Sequence, residues 1–97
     1  HEGSGRVEAV GPGVSKLKAG DRVILGWIKG QGQNAMGPKI RHKGRVINAG
    51  SVTTFSEYSI VSENRCTLLP AGVPMDVAVL FGCAVLTGAG IVTHTLK

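Results

Sequence analysis

The chain has 97 residues, a formal net charge of +5, 42% hydrophobic residues and only 4% aromatic residues. These values predict one domain with a modest core of valine, isoleucine, leucine and alanine, and they exclude a multidomain chain. Residues 77–92 form the longest apolar stretch, but glycine, cysteine and threonine interrupt it, so we expect no membrane span, which needs about 18 continuous apolar residues.

The first two thirds of the chain predict short strands separated by turns. Residues 26–50 are the least regular part, because glycine and proline break nearly every candidate element there. Elsewhere, β-branched runs or alternation of apolar and polar residues indicate strands. The predicted strands are residues 3–10, 22–25, 45–47, 54–61 and 66–69.

The last third predicts two helices. Pro74 suits the first turn of a helix that ends at Gly82, and residues 83–96 predict a second helix. We expect Gly88 and Gly90 to let that second helix approach a neighbouring segment closely. The predicted fold class is therefore mainly β, with helices at the end.

One cofactor motif has to be rejected. Residues 30–35 read Gly-Gln-Gly-Gln-Asn-Ala, which matches the dinucleotide-binding pattern with alanine in the last position. That motif requires a helix to begin at once and an acidic residue about 20 positions further on. Gly37-Pro38 stops any helix, and residues 22–56 contain no acidic side chain. The match therefore predicts no nucleotide site.

The positive charge is concentrated in one stretch without acidic residues: Lys29, Lys39, Arg41, Lys43 and Arg45. One hypothesis from this charge is a small basic β-barrel that binds nucleic acid. The stretch lacks the interleaved aromatic residues that stack on bases and contains no recognisable nucleic-acid module. A solvated basic loop is the favoured interpretation, with no nucleic acid as partner.

Residues that commonly bind metals are scattered along the chain. They are His1, His42, Cys66, Cys83 and His94. No two of them have the short spacing of a structural zinc site, so spacing alone does not locate a metal centre. Buried, unreactive cysteines remain the simpler interpretation of that pattern.

Six short blocks, in order, resemble the zinc-dependent alcohol dehydrogenases of the medium-chain dehydrogenase/reductase superfamily. The resemblance covers nearly the whole chain apart from residues 26–50. The blocks are His1-Glu2-Gly3-Ser4-Gly5-Arg6-Val7, Gly11-Pro12-Gly13-Val14, Gly20-Asp21-Arg22-Val23, Phe55-Ser56-Glu57-Tyr58, Leu69-Pro70 and Gly82-Cys83-Ala84-Val85-Leu86-Thr87-Gly88-Ala89-Gly90.

The resemblance implies a GroES-like partial barrel in residues 1–73. Residues 74–97 are then linking helices that lead to a nucleotide-binding (Rossmann) domain outside this chain. Because His1 is not an initiator methionine and no helix stop follows residues 91–97, we expect the chain to be a fragment. Such a fragment is expected to be inactive alone.

The resemblance also implies roles for single residues. His1 and Cys83 match two protein ligands of the catalytic zinc, and a first cysteine ligand lies upstream of this segment in the family. Glu2 matches the acidic residue just behind that zinc, and Thr87 lies in the segment that approaches the nicotinamide ring. If the resemblance holds, His1 and Cys83 must converge although they are 82 positions apart in the sequence.

The implied parent activity is oxidation of a small alcohol to an aldehyde or ketone. The expected cofactors are one catalytic Zn²⁺ and NAD or NADP, with the zinc acting as a Lewis acid on the alcohol oxygen. Two well-separated cysteines make no disulfide framework, so we expect a cytoplasmic protein. The resemblance implies a homo-oligomer for the full-length parent, and we expect no membrane or nucleic-acid partner.

Two features bear on the alternatives within the superfamily. Residues 26–50 lack the four cysteines that hold a structural zinc in many relatives, so we expect no second zinc. A zinc-free, quinone-reductase-like member is the other hypothesis, and His1, Glu2 and Cys83 argue against it. Cys66 matches no family role and is predicted to be a small buried hydrophobe.

Overall fold

A computed structural model describes residues 1–96, and Lys97, the last residue of the predicted linking segment, lies outside the described residues. Short one-turn helices occur at Glu63–Arg65 and Val79–Gly82, and a π-helical turn occurs at Ile91–Thr95. The prediction of a mainly β fold followed by short helices is confirmed. The remaining elements are β1 (Gly3–Arg6), β2 (Arg22–Leu25), β3 (Lys39–His42), β4 (Arg45–Asn48), β5 (Cys66–Leu68), α1 (Met75–Ala78) and α2 (Ala84–Gly90).

The main sheet is antiparallel, with β2 between β1 and β5. Its central strand carries Val23 and Ile24, whose branched side chains suit a pleated sheet. The register opposes Leu25 to Gly3 on one side and to Cys66 on the other. The sheet therefore brings the beginnings of β1 and β5 to the end of β2.

The core lies against this sheet and is small. Leu17, Val23 and Cys66 form a buried cluster, and Cys66 is only 8% exposed. Its prediction as a buried small hydrophobe is confirmed. The partly buried hydrophobic residues packed against the cluster are Val7, Val14, Leu25 and Val61.

A buried carboxylate ties two loops to the segment before β5. Glu63 accepts backbone hydrogen bonds from Ser15 at 2.9 Å and Lys16 at 2.6 Å through Oε1, and from Gln33 at 2.7 Å through Oε2. These donors, Gln33 first, then Lys16 and Ser15, hold the pKa of the Glu63 carboxyl below its ordinary value, and burial only partly opposes them. The Glu63 carboxylate thus provides hydrogen-bond acceptors for three loop N–H groups that would otherwise be unpaired.

β3 and β4 form a separate two-stranded hairpin in which Ile40 opposes Ile47. Its turn places Lys43 at φ 48° and Gly44 at φ 75°, the positive angles that a two-residue hairpin turn requires. The short strand predicted at residues 45–47 is confirmed, while β3 was not predicted. Every residue of both strands is exposed, so most of the basic stretch is solvated, as expected.

The strand predicted at residues 54–61 is wrong, since that segment is irregular in the structure. Its serine hydroxyls bond to nearby backbone instead: Ser56 donates to the Tyr58 carbonyl at 2.8 Å, and Ser59 donates to the Thr53 carbonyl. Local bonds of this kind compete with a strand ladder. The first predicted strand is also shorter, ending at Arg6.

The two predicted helices are present with a break between them. The first begins after Pro74 and ends at Gly82, as predicted, and Cys83 then departs from helical geometry with φ −154° and ψ −58°. The expected close packing at Gly88 and Gly90 is absent within residues 1–96, because no neighbouring segment there comes within 4 Å of a Cβ at either position.

Within residues 1–96, no single helix is long and apolar enough to cross a membrane. Met75–Gly82 and Ala84–Thr95 reach that length and composition only when taken together, and they are bent by 52° at the break.

Candidate functional site

The two ends of the predicted site lie on segments that touch. A Cβ placed on Gly82 would lie 3.5 Å from the His1 carbonyl oxygen and 3.5 Å from the Glu2 Cα. Gly82 has no side chain, so the two backbones can approach this closely. The segment that begins with His1 is therefore in contact with the segment that leads to Cys83.

Glu2 joins them by a hydrogen bond. Its Oε1 atom accepts the backbone N–H of Ala84 at 2.5 Å, across 82 sequence positions. Ala84 is the first residue of α2, where backbone N–H groups have no partner within the helix. Glu2 thus satisfies one of these donors. The bond holds the segment that includes His1, next to Glu2, against the segment that includes Cys83, next to Ala84.

Cys83 lies at the break between the helices, and its side chain is exposed. Its Sγ atom is 3.6 Å from the Thr87 Oγ1 atom, one helical turn further on. Cys83 and Thr87 therefore share one face of α2, with the thiol accessible at its beginning.

His1 packs against Trp27, with ring centroids 4.4 Å apart and planes tilted by 36°. The register explains this contact. Because Gly3 opposes Leu25, continuing the two strands outward by two residues opposes His1 to Trp27. The contact therefore follows from strand pairing.

Arg65 completes this group from the other side of β2. Its guanidinium carbon lies 4.7 Å from the centroid of the Trp27 ring, within cation–π distance. The Arg65 carbonyl accepts the N–H of Gly26 at 3.0 Å, which continues the pairing of β2 with β5. Arg65 is only 8% exposed, whereas Trp27 is 50% exposed.

A catalytic zinc ion takes three protein ligands and keeps one position open. An imidazole and a thiol are ligands that zinc prefers, so His1 and Cys83 fit in kind. They do not suffice in number, since residues 1–96 contain no group of three or more His, Cys, Asp or Glu side chains able to hold a metal ion. The described residues therefore fit part of a zinc site.

The other candidate ligands lie elsewhere. Cys66 is in the core cluster, and His42 is on the exposed hairpin. The His94 Nδ1 atom is hydrogen-bonded to the neighbouring Thr93 hydroxyl at 2.6 Å. Of the residues that the resemblance singled out, His1 and Glu2 thus meet the segment that carries Cys83 and Thr87.

Sequence reasoning missed Trp27 and Arg65. Both precede or follow predicted strands by one or two positions, and Trp27 is the only tryptophan of the chain. Predicting their place requires the strand register, because His1 is opposite Trp27 only once β1 is paired with β2. Without that pairing, Trp27 looked like part of an irregular loop.

Comparisons with known proteins agree with this architecture. Residues 1–71 match the family model described as the alcohol dehydrogenase GroES-like domain. The chain belongs to the family of alcohol dehydrogenases with a GroES-like domain.

Two curated relatives are similar along most of the chain. The alcohol dehydrogenase class-3 of Dictyostelium discoideum is 30% identical over 122 aligned positions, covering 100% of this chain and 32% of the relative. An alcohol dehydrogenase of Schizosaccharomyces pombe is 33% identical over 96 positions, covering 90% of this chain and 26% of the relative. The chain thus spans about a third or less of these relatives. No solved structure matches it.

Proposed function

We propose that this chain is part of the catalytic domain of an enzyme that oxidises an alcohol to an aldehyde or ketone by zinc-assisted hydride transfer to NAD(P). The observation that carries the proposal is the hydrogen bond from Ala84 to the Glu2 carboxylate. It holds the segment of Glu2 against the beginning of α2, which supports a metal ion shared by the neighbouring residues His1 and Cys83. Membership of the alcohol dehydrogenase family supports the same activity.

In this proposal, His1 contributes a nitrogen ligand and Cys83 a sulfur ligand. At least one further protein ligand has to come from outside the described residues. Zinc supplies a Lewis acid that makes an alcohol easier to deprotonate at neutral pH. Glu2 would support the site by holding the segment before β1 against α2, so that His1 and Cys83 keep their relative position.

We assign Thr87 to the nicotinamide side of the site. Its hydroxyl oxygen lies 3.6 Å from the Cys83 sulfur, so a ring packed beside Thr87 is one helical turn from the proposed metal ligand. The nicotinamide ring of NAD(P) accepts the hydride.

We further propose that residues 1–73 belong to the catalytic domain and that residues 74–97 link it to a nucleotide-binding domain. The family match, which ends at residue 71, supports this boundary. By itself the chain should be inactive, because activity needs a third zinc ligand and a nucleotide-binding domain. A cytoplasmic homo-oligomer remains a prediction from the resemblance.

The test is an activity assay on a whole protein that contains this chain. Cys83→Ser should abolish NAD(P)-dependent alcohol oxidation and lower the zinc content per subunit. Cys66→Ala is the matched control, since Cys66 lies in the core, and its activity should be retained. Activity that survives Cys83→Ser in a zinc-free preparation would contradict the proposal and favour a zinc-free reductase.

A further inference from the structure

We propose that Trp27, backed by Arg65, is the positioning residue that orients the His1 imidazole for metal binding. The proposal rests on the proposed function, in which His1 is a zinc ligand. It assigns a role to two residues that the resemblance does not include. Two contacts support the proposal: the His1 ring packs against the Trp27 ring, and the Arg65 guanidinium lies over the Trp27 ring.

His1 needs such a partner because the sheet does not hold its side chain. The paired residues of β1 begin at Gly3, two positions after His1. The Glu2 hydrogen bond fixes the backbone beside it but leaves the imidazole free to rotate about its own side-chain bonds. The Trp27 ring, 4.4 Å away between centroids, limits that rotation.

Trp27 in turn is fixed by strand register and by a charge. The Gly26 N–H donates to the Arg65 carbonyl, so the backbone beside Trp27 is held by the segment before β5. The guanidinium of the buried Arg65 lies over the ring. A half-exposed indole would otherwise adopt several rotamers, and the cation–π contact selects one of them.

Arg65 is itself held by a rigid neighbourhood. It ends the helical turn that begins at Glu63, whose carboxylate accepts three backbone N–H groups from two loops. A series of contacts therefore runs from the Glu63 carboxylate to His1. Glu63 holds the helical turn that carries Arg65, Arg65 lies over Trp27, and Trp27 packs against His1. Groups that hold a metal-binding histidine in one orientation are known to raise metal affinity by about 10- to 100-fold.

The experiment measures the Zn²⁺ affinity of a whole protein that contains this chain, by competition with a chromophoric chelator, because at least one zinc ligand has to come from outside the described residues. Trp27→Leu should weaken binding by about tenfold, the lower end of the range for outer-shell partners. Trp27→Phe keeps an aromatic ring and should restore most of the affinity. Arg65→Gln should fall between Trp27→Leu and the unaltered chain. Phe55→Leu removes a fully exposed aromatic side chain and is the matched control.

A spectroscopic readout separates positioning from a general loss of structure. In the metal-free chain, stacking on Trp27 should shift the imidazole proton resonances of His1 upfield. Trp27→Leu should remove that shift while the far-ultraviolet circular dichroism spectrum, which reports the backbone, stays unchanged. If the shift persists in Trp27→Leu, the contact does not position His1 and the proposal is overturned.

The outcomes also separate this inference from the proposed function. Zn²⁺ binding that depends on Cys83 but is unchanged in Trp27→Leu overturns the inference and leaves the proposed site intact. Zn²⁺ binding that is unaffected by either His1→Ala or Cys83→Ser overturns both. Dependence on Cys83, His1 and Trp27 together supports both.

Discussion

Gly82 packs against the carbonyl oxygen of Leu25 so closely that a Cβ at position 82 would lie 2.5 Å from that oxygen. The oxygen belongs to the backbone of the central strand and cannot rotate away. This contact presses the end of the first helical segment onto the sheet beside His1. Absence of a side chain at position 82 is therefore a condition for this segment to contact β2 and the residues His1 and Glu2.

Gly82→Ala should destabilise the chain by about 1–3 kcal/mol, because the added methyl group forces the backbone apart. Gly88→Ala is the matched control, since no neighbouring segment of the described chain lies within 4 Å of a Cβ there and alanine favours a helix by about 0.5–1 kcal/mol relative to glycine. Urea unfolding measures both changes. Equal stability of the two variants would show that the helix does not press on the sheet in this way.

The hydrogen bond between Glu2 and Ala84 predicts a difference between two substitutions. Glu2→Ala removes the acceptor and should cost about 1 kcal/mol, the typical net value of one hydrogen bond. Glu2→Gln keeps an oxygen acceptor and should cost much less. The free energy of unfolding of each variant checks this, and similar losses in both would indicate that charge, and not the hydrogen bond, joins the segments.

Glu63 predicts loss of stability in acid. Since its backbone donors lower the pKa of the folded-state carboxyl, its contribution is present above the unfolded-state pKa of about 4.3. The contribution is lost as the pH falls from that value through the lower folded-state pKa. Thermal unfolding from neutral to acidic pH should show the decline.

The control for this prediction is Glu63→Gln. The amide cannot accept hydrogen bonds at both side-chain positions, so this variant should be less stable at neutral pH and should show a weaker dependence on acid. A variant with the same acid dependence as the unaltered chain would mean that another carboxyl group is responsible.

The two cysteines should differ in reactivity. Burial, with the Glu63 charge, raises the pKa of the Cys66 thiol against the opposing effect of Lys16, whereas Cys83 is exposed. Because the thiolate is the reactive form, a thiol reagent should modify Cys83 rapidly and Cys66 slowly. Cys83→Ser should leave one slow thiol. Two equally fast thiols in the folded chain would contradict the structure.

The sequence predicted those parts of the fold that local pattern determines. The β-branched run of β2 and the proline and glycine that bound the first helix were sufficient. The failure at residues 54–61 has a physical cause. Apolar side chains such as Phe55 and Tyr58 fall on both faces of the predicted strand, and Ser56 and Ser59 provide local hydrogen bonds that compete with pairing.

The residues of the candidate site also differ in how far the sequence could predict them. His1, Glu2, Cys83 and Thr87 were found only through the resemblance, because no spacing rule connects residues at opposite ends of a chain. Trp27 could not be found without the pairing of β1 with β2. The hydrogen bonds from three distant N–H groups to the Glu63 carboxylate could not be predicted either, since a single buried glutamate has no sequence pattern of its own.

The most direct test of the central claim is a Co²⁺ titration of a whole protein that contains this chain, because at least one metal ligand has to come from outside the described residues. Thiolate ligands are reported by their sulfur-to-cobalt absorption. We predict that this absorption decreases in Cys83→Ser and in His1→Ala and is unchanged in Cys66→Ala. Unchanged absorption in Cys83→Ser, or a decrease in Cys66→Ala alone, would contradict a metal centre shared by His1 and Cys83.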